Sequence, residues 1–150
     1  MSGSRYWNQS RNKYVNYDRN DPNHPHNKAV EFVCNVLSEY HYLTSTEIKF
    51  VPKSKAKLLR YPMRLDILAI SPDNKIVLAI EVDGGYHDNS IIQMNKTKNR
   101  NEDIKEAMPY VNCFLHIKPE DAMIRHYLIE QIEKAIANKK WLDIILFHGV

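Results

Sequence analysis

Residues 63–83 read Met-Arg-Leu-Asp-Ile-Leu-Ala-Ile-Ser-Pro-Asp-Asn-Lys-Ile-Val-Leu-Ala-Ile-Glu-Val-Asp. Two runs of aliphatic and β-branched residues flank a Ser/Pro/Asp/Asn turn, the pattern of a β-hairpin. Asp73 and Asn74 both tolerate positive φ, so a turn centred between them sets residue i opposite residue 147 − i. In that register Asp66 lies opposite Glu81 and Arg64 opposite Asp83. Period-two alternation then puts all four on one face at the open end of the hairpin. The rest of that face (Leu68, Ile70, Val77, Ala79) and the whole of the other (among them Leu65, Ile67, Ile80 and Val82) are apolar. The sheet is therefore expected to be covered on both sides.

Opposed carboxylates on paired strands have Cβ atoms only about 5 Å apart and destabilise the sheet unless compensated. A divalent cation compensates, because hard ions such as Mg²⁺ bind through carboxylate oxygens. The alternative is that Arg64 neutralises Asp83 while Asp66 and Glu81 splay into solvent or share a proton.

A chain of 150 residues, 43% hydrophobic and 26% charged, suits one globular domain with a real core. The net charge of +3 is too small to argue nucleic-acid binding by itself. No apolar run is long enough for a membrane span, and the polar N-terminus lacks a signal-peptide core. Cys34 and Cys113 fall in apolar surroundings and read as reduced thiols of an intracellular, cytoplasmic protein, with a single disulfide as the alternative.

Residues 1–26 read as a flexible basic and aromatic arm, with residues 27–150 as a single domain. In the arm, Tyr6, Trp7, Tyr14 and Tyr17 interleave with Arg5, Arg11, Lys13 and Arg19. That pattern suits base stacking beside phosphate contacts, and equally a solvated tail. His24-Pro-His26 has no third ligand at a useful spacing for a metal. A first helix is expected from about Asn27 to Tyr40, with Glu31 in its first turn. A strand follows at Thr46–Val51.

From Lys49 to Arg64 there are six basic residues and no acid. Lys53, Lys55, Lys57, Arg60 and Arg64 of this loop lead straight into the strand carrying Asp66, an arrangement suited to a polyanionic substrate. After Asp83, Gly84-Gly85 allows unusual backbone angles and close approach of a phosphate, and His87 follows. A helix is expected from Asn89 or Ser90 to about Ala107, carrying Lys96, Lys98 and Arg100 on a wholly polar middle. Val111–Lys118 alternates as a further strand, so residues 75–118 form a strand–helix–strand unit with a parallel crossover. Cys113 and His116 have a zinc-like spacing but face opposite ways in a strand. A helix from about Pro119 to Ala137 comes next, and Trp141–Phe147 is an apolar run suited to a strand or a packed helix.

This order of elements, with Asp and then Glu-x-Asp on an antiparallel pair, resembles the PD-(D/E)XK nuclease superfamily, in particular the branch around the very-short-patch-repair endonucleases. The matching stretches are Arg-Leu-Asp at 64–66, Ile-Glu-Val-Asp-Gly-Gly-Tyr-His at 80–87, and the basic helix leading to the strand at 111–118. The resemblance implies a restriction-endonuclease-like α/β fold: a mixed sheet of antiparallel hairpin plus parallel crossover, flanked by helices. It implies Mg²⁺- or Mn²⁺-dependent hydrolysis of DNA phosphodiesters, although residue chemistry alone admits RNA. It casts Asp66 and Glu81 as metal ligands, with Glu31 or Asp83 joining them. Asp83 stands where the family's usual lysine would be, so His87 is expected to act as base or to meet transition-state charge, with Lys96 the weaker candidate. Lys53, Lys55, Lys57, Arg60, Arg64, Lys96, Lys98 and Arg100 are expected to contact nucleic acid, and a homodimer is compatible with this reading. The competing readings are a catalytically silent nucleic-acid-binding module and an interaction domain whose carboxylates form a salt-bridge network.

Overall fold

The fold rests on a computed structural model, which describes residues 5–8, 13–16, 21–83 and 91–147. Strands β1 (Arg5–Asn8) and β2 (Lys13–Asn16) form a small antiparallel hairpin within the stretch expected to be an irregular arm. Helix α1 spans Pro25–Glu39. It starts two residues before the expected Asn27 because Pro25 suits the first helical position and His24 supplies the cap, its Nδ1 accepting the His26 N–H at 3.1 Å. Asn27 Nδ2 donates to the Asp21 carbonyl at 2.8 Å, which ties Asp21 to the first turn of the helix. The helix stops at Tyr40. His41 follows at φ 66° in the left-handed region, and the Tyr42 N–H returns to the Leu37 carbonyl at 3.1 Å.

Strand β3 (Leu43–Phe50) leads through a 3₁₀ turn at Lys53–Lys55 to β4 (Met63–Ile70) and β5 (Val77–Val82). Helix α2 (Ile91–Ala107) crosses to β6 (Cys113–Ile117), and a one-turn α3 (Pro119–Ala122) precedes α4 (Arg125–Phe147). The single helix expected over 119–137 is thus divided at Met123–Ile124, and the 141–147 run continues α4 rather than forming a strand. The protein is α/β. Four strands in the order β3-β4-β5-β6 make a mixed sheet, with β3 and β5 antiparallel to β4 and β6 parallel to β5. No helix among the described residues is long and apolar enough to cross a membrane.

The expected register holds: Ile67 faces Ile80 and Ile70 faces Val77, with Asn74 at φ 62° in the turn. Each of the six β5 residues is buried, as two-sided cover requires. On one side, β5 and β6 pack against α1, α3 and α4 through Val33, Leu37, Ile80, Leu115, Leu128 and Ile132. On the other, Val77 and Ala79 meet Ile104 of α2 and Met108 just beyond its end. Cys34 and Cys113 both belong to the first side and form no disulfide.

Strict alternation fails at one place. Leu65 packs with Phe50 and Ile104 on the α2 side, whereas Ile67, two residues on, packs on the α1 side. The break coincides with Glu47 at φ 51°, where the β3–β4 ladder skips from Thr46↔Ile67 to Ile48↔Leu65. On the other edge of β4 the ladder with β5 ends at Ile67↔Ile80. Asp66 sits at this break.

Candidate active site

The carboxyl ends of β5 and β6 lie side by side, and in sheets with parallel strands ligands gather outside such ends. Glu81 is directly beside His116 in the parallel register, which sets both side chains on the α2 side. Glu81 is only 7% exposed. Arg100 of α2 reaches it, with Nε donating to Oε1 at 2.6 Å. The same guanidinium donates from Nη2 to the Arg64 carbonyl oxygen and lies over the Phe50 ring, 5.2 Å from its centroid. Burial pushes the Glu81 carboxyl up to about 7. The Arg100 charge opposes that rise, and the nearby Asp66 charge adds to it. His116 Nε2 lies 2.7 Å from Asn101 Oδ1, and its Nδ1 lies 3.9 Å from Asp83 Oδ2.

Asp66 belongs to the opposite helix. In an unbroken ladder Val82 would face Leu65, but its N–H donates to Asp66 Oδ2 at 2.7 Å. The carboxylate thus replaces a main-chain acceptor where the strands part. Its Oδ1 lies 3.2 Å from His26 Nε2, in the first turn of α1. The bond to Asp66 raises the His26 pKa, while burial lowers that of His24. The four-residue face expected from alternation is therefore divided, because the break in β4 turns Asp66 toward α1 while Glu81 meets α2.

The remaining expected residues fall as follows. Glu31 is exposed on α1, in its second turn. Five residues from His26 is roughly 140° around a helix, so the side of α1 that meets Asp66 is His26's and not Glu31's. Arg64 Nη1 lies 3.9 Å from Glu47 Oε2, a different partner from the Asp83 of the alternative reading. Lys55 has an internal partner: its Nζ donates to Asp103 Oδ2 of α2 at 2.7 Å, and Ser54 beside it donates to Glu106 through both N–H and Oγ. Lys53, Lys57 and Arg60 are exposed, with the Arg60 guanidinium 5.6 Å from the Tyr61 ring centroid. Lys96 and Lys98 are exposed on α2, whereas Arg100 is half-buried at Glu81. His87 lies outside the described residues, with the rest of 84–90.

Four residues stand at this site in roles that a reading of the sequence does not announce. His26 carries a usable signal, since Pro at the first helical turn places it beside the N-terminus of α1. Arg100, expected as a nucleic-acid contact, gives no sign in the sequence of its bond to Glu81, and Asn101 gives none within a polar helix. His116 becomes significant only once the β5–β6 register sets it next to Glu81.

Among the described residues, no three His, Cys, Asp or Glu side chains come together as a metal cage. Mg²⁺ is commonly held by one or two carboxylates, with water and substrate phosphate completing its shell. Asp66 and Glu81 offer oxygen donors of that kind. Burial keeps the Glu81 carboxyl raised even beside Arg100, and the oxygen donors of Asp66 and Glu81 are of the chemical kind a hard cation takes. Comparison of the chain with family models, with curated proteins and with solved structures finds no match in any of the three.

Proposed function

We propose that the chain is a metal-dependent endonuclease hydrolysing DNA phosphodiesters, on a restriction-endonuclease-like form of its mixed sheet. One observation carries this reading. Asp66 and Glu81, from adjacent central strands, lie near enough at the carboxyl end of β5 for the Asp66 charge to act on Glu81, whose carboxyl burial pushes up to about 7. Buried carboxyls raised by a neighbouring charge concentrate at functional sites. Asp66 and Glu81 would hold Mg²⁺ or Mn²⁺, with Asp83 at the rim. When bound, the metal would polarise a phosphate oxygen and lower the pKa of a water. His26 orients Asp66 from α1, and Arg100 orients Glu81 from α2. His87 follows Asp83 closely in the chain and is the proposed base. Exposed Lys53, Lys57, Arg60, Lys96 and Lys98 supply cations for the polyanion.

The test is incubation with supercoiled plasmid, with and without Mg²⁺ or Mn²⁺, alongside calorimetric titration of Mn²⁺. Relaxed or linear product only with metal, lost in Asp66→Asn, supports the reading. Absence of both cleavage and stoichiometric Mn²⁺ binding would sink it. A second reading, a nucleic-acid-binding module without hydrolysis, is favoured by the internal partners: each carboxylate already faces a basic side chain. DNA binding without Mn²⁺ binding would select it.

A further inference from the structure

Arg100 does more in this fold than neutralise a carboxylate. A simple counter-ion for Glu81 needs one ionic contact. Arg100 has three contacts on three elements: Glu81 Oε1 on β5, the Arg64 carbonyl oxygen on β4, and the face of Phe50 at the end of β3. A guanidinium held by a carboxylate, a carbonyl and a ring face has little orientational freedom left. Two of its five N–H donors are used, by Glu81 and Arg64; the others have no hydrogen-bond acceptor among the described residues. The side chain stays 26% exposed. Buried guanidinium groups normally satisfy their donors, so spare ones on a side chain that stays partly exposed are available to an incoming acceptor. Lys96, one turn earlier on the same stripe of α2, is exposed and adds a second cation on that side. Planar, oriented guanidinium groups suit phosphate oxygens better than mobile ammonium groups do.

We propose that Arg100 is a phosphate-contacting residue of this site, pre-oriented by Glu81, the Arg64 carbonyl and Phe50 to receive a non-bridging oxygen of a nucleic-acid backbone. This rests on the nuclease reading for its substrate, but not for its test. Binding of a short fluorescein-labelled DNA duplex is followed by anisotropy in EDTA over a range of salt concentrations, so that neither metal nor turnover enters. Arg100→Gln should reduce the slope of log K against log salt by about 0.9, the loss of one phosphate contact. Arg100→Lys should keep the slope while weakening binding, because charge is retained and geometry is not.

Arg100→Gln leaves Glu81 buried without its cation and can fail to fold. The same comparison is therefore made between Glu81→Gln and the double variant Glu81→Gln/Arg100→Gln, in which no buried charge is stranded. A slope loss of about 0.9 between those two supports the contact. An unchanged slope in both comparisons, or no duplex binding by the wild-type chain, overturns it and leaves Arg100 as a counter-ion. Failure of the nuclease reading shows separately, as absence of metal-dependent plasmid cleavage by a wild-type chain whose duplex binding still depends on Arg100.

Discussion

Glu81→Gln offers a quantitative test of the electrostatics at the head of β5. Burial and the Asp66 charge raise the carboxyl from its ordinary 4.5 to about 7 in the folded chain, which corresponds to about 3 kcal/mol. The sign follows from linkage. Well below pH 4.5 the group is protonated in both the folded and unfolded states and contributes no pH dependence. Between 4.5 and 7 the folded chain holds a proton that the unfolded chain has released, so stability falls as pH rises. Above 7 the full penalty is in place. Glutamine keeps the shape and cannot ionise, and the contribution of Arg100 is already contained in the net rise. The stability of Glu81→Gln relative to wild type should therefore grow by about 3 kcal/mol across this range. Urea unfolding followed by far-ultraviolet circular dichroism, in EDTA at a series of pH values, gives both curves. Parallel curves would show that Glu81 ionises as an ordinary glutamate, and the raised carboxyl on which the proposed function draws would be refuted.

Lys55→Ala should cost roughly 1–3 kcal/mol by stranding the nearly buried Asp103, and should speed hydrogen exchange in the 53–59 segment; an unchanged unfolding midpoint would show that this loop is not anchored to α2. Replacing Lys53 and Lys57 together should reduce the salt slope of duplex binding by about 1.8 if this loop tracks the backbone, with an unchanged slope placing the DNA elsewhere. The Asp66 bond raises the His26 pKa, so its stabilisation is fully present below the ordinary 6.5 and is lost as pH rises through the folded value. His26→Ala should accordingly cost most near pH 5.5, toward the lower end of roughly 1.5–3 kcal/mol, and little near pH 9; equal costs at the two would rule out a charged His26–Asp66 pair. His87→Ala should leave Mn²⁺ affinity within a few-fold while cutting cleavage by about 10² or more, and cleavage at the wild-type rate would make Lys96 the residue to test.

The hairpin is legible in the sequence because one Asp-Asn turn and two uninterrupted apolar runs leave a single register that buries both faces. The β5–α2–β6 crossover is legible for a similar reason: a short buried run, a long polar helix and a second alternating run admit few topologies. The division of Asp66 from Glu81 is not. It depends on Glu47 adopting φ 51°, a left-handed conformation that no glycine or asparagine announces at that position. The anchoring of Lys55 is equally hidden, since its partner Asp103 lies 48 residues away on an α2 face whose polar composition gives no amphipathic signal. A run of like charges reads as a solvated or ligand-facing loop until the opposing carboxylate is placed in space.

The broken alternation at Asp66 explains how one end of the sheet brings together groups from helices on its two opposite sides. Had β4 kept its phase, Asp66 and Glu81 would both have faced α2, and α1 would have contributed nothing. The turn of β4 at the 47/66 position gives Asp66 to His26 on α1, while Val82 bonds it back toward β5. Glu81 remains with Arg100 on α2. Each acidic group thus has a basic partner from a separate helix, and the Asp66 charge still adds to the raised pKa of Glu81. A shared cation between the two carboxylates would replace part of what His26 and Arg100 now supply from the two sides of the sheet. A salt-bridge network built only for stability would be expected to satisfy its most buried carboxyl fully. Here the most buried carboxyl stays raised to about 7 by burial even with Arg100 bonded to it, so its internal partner does not fully offset the loss of water.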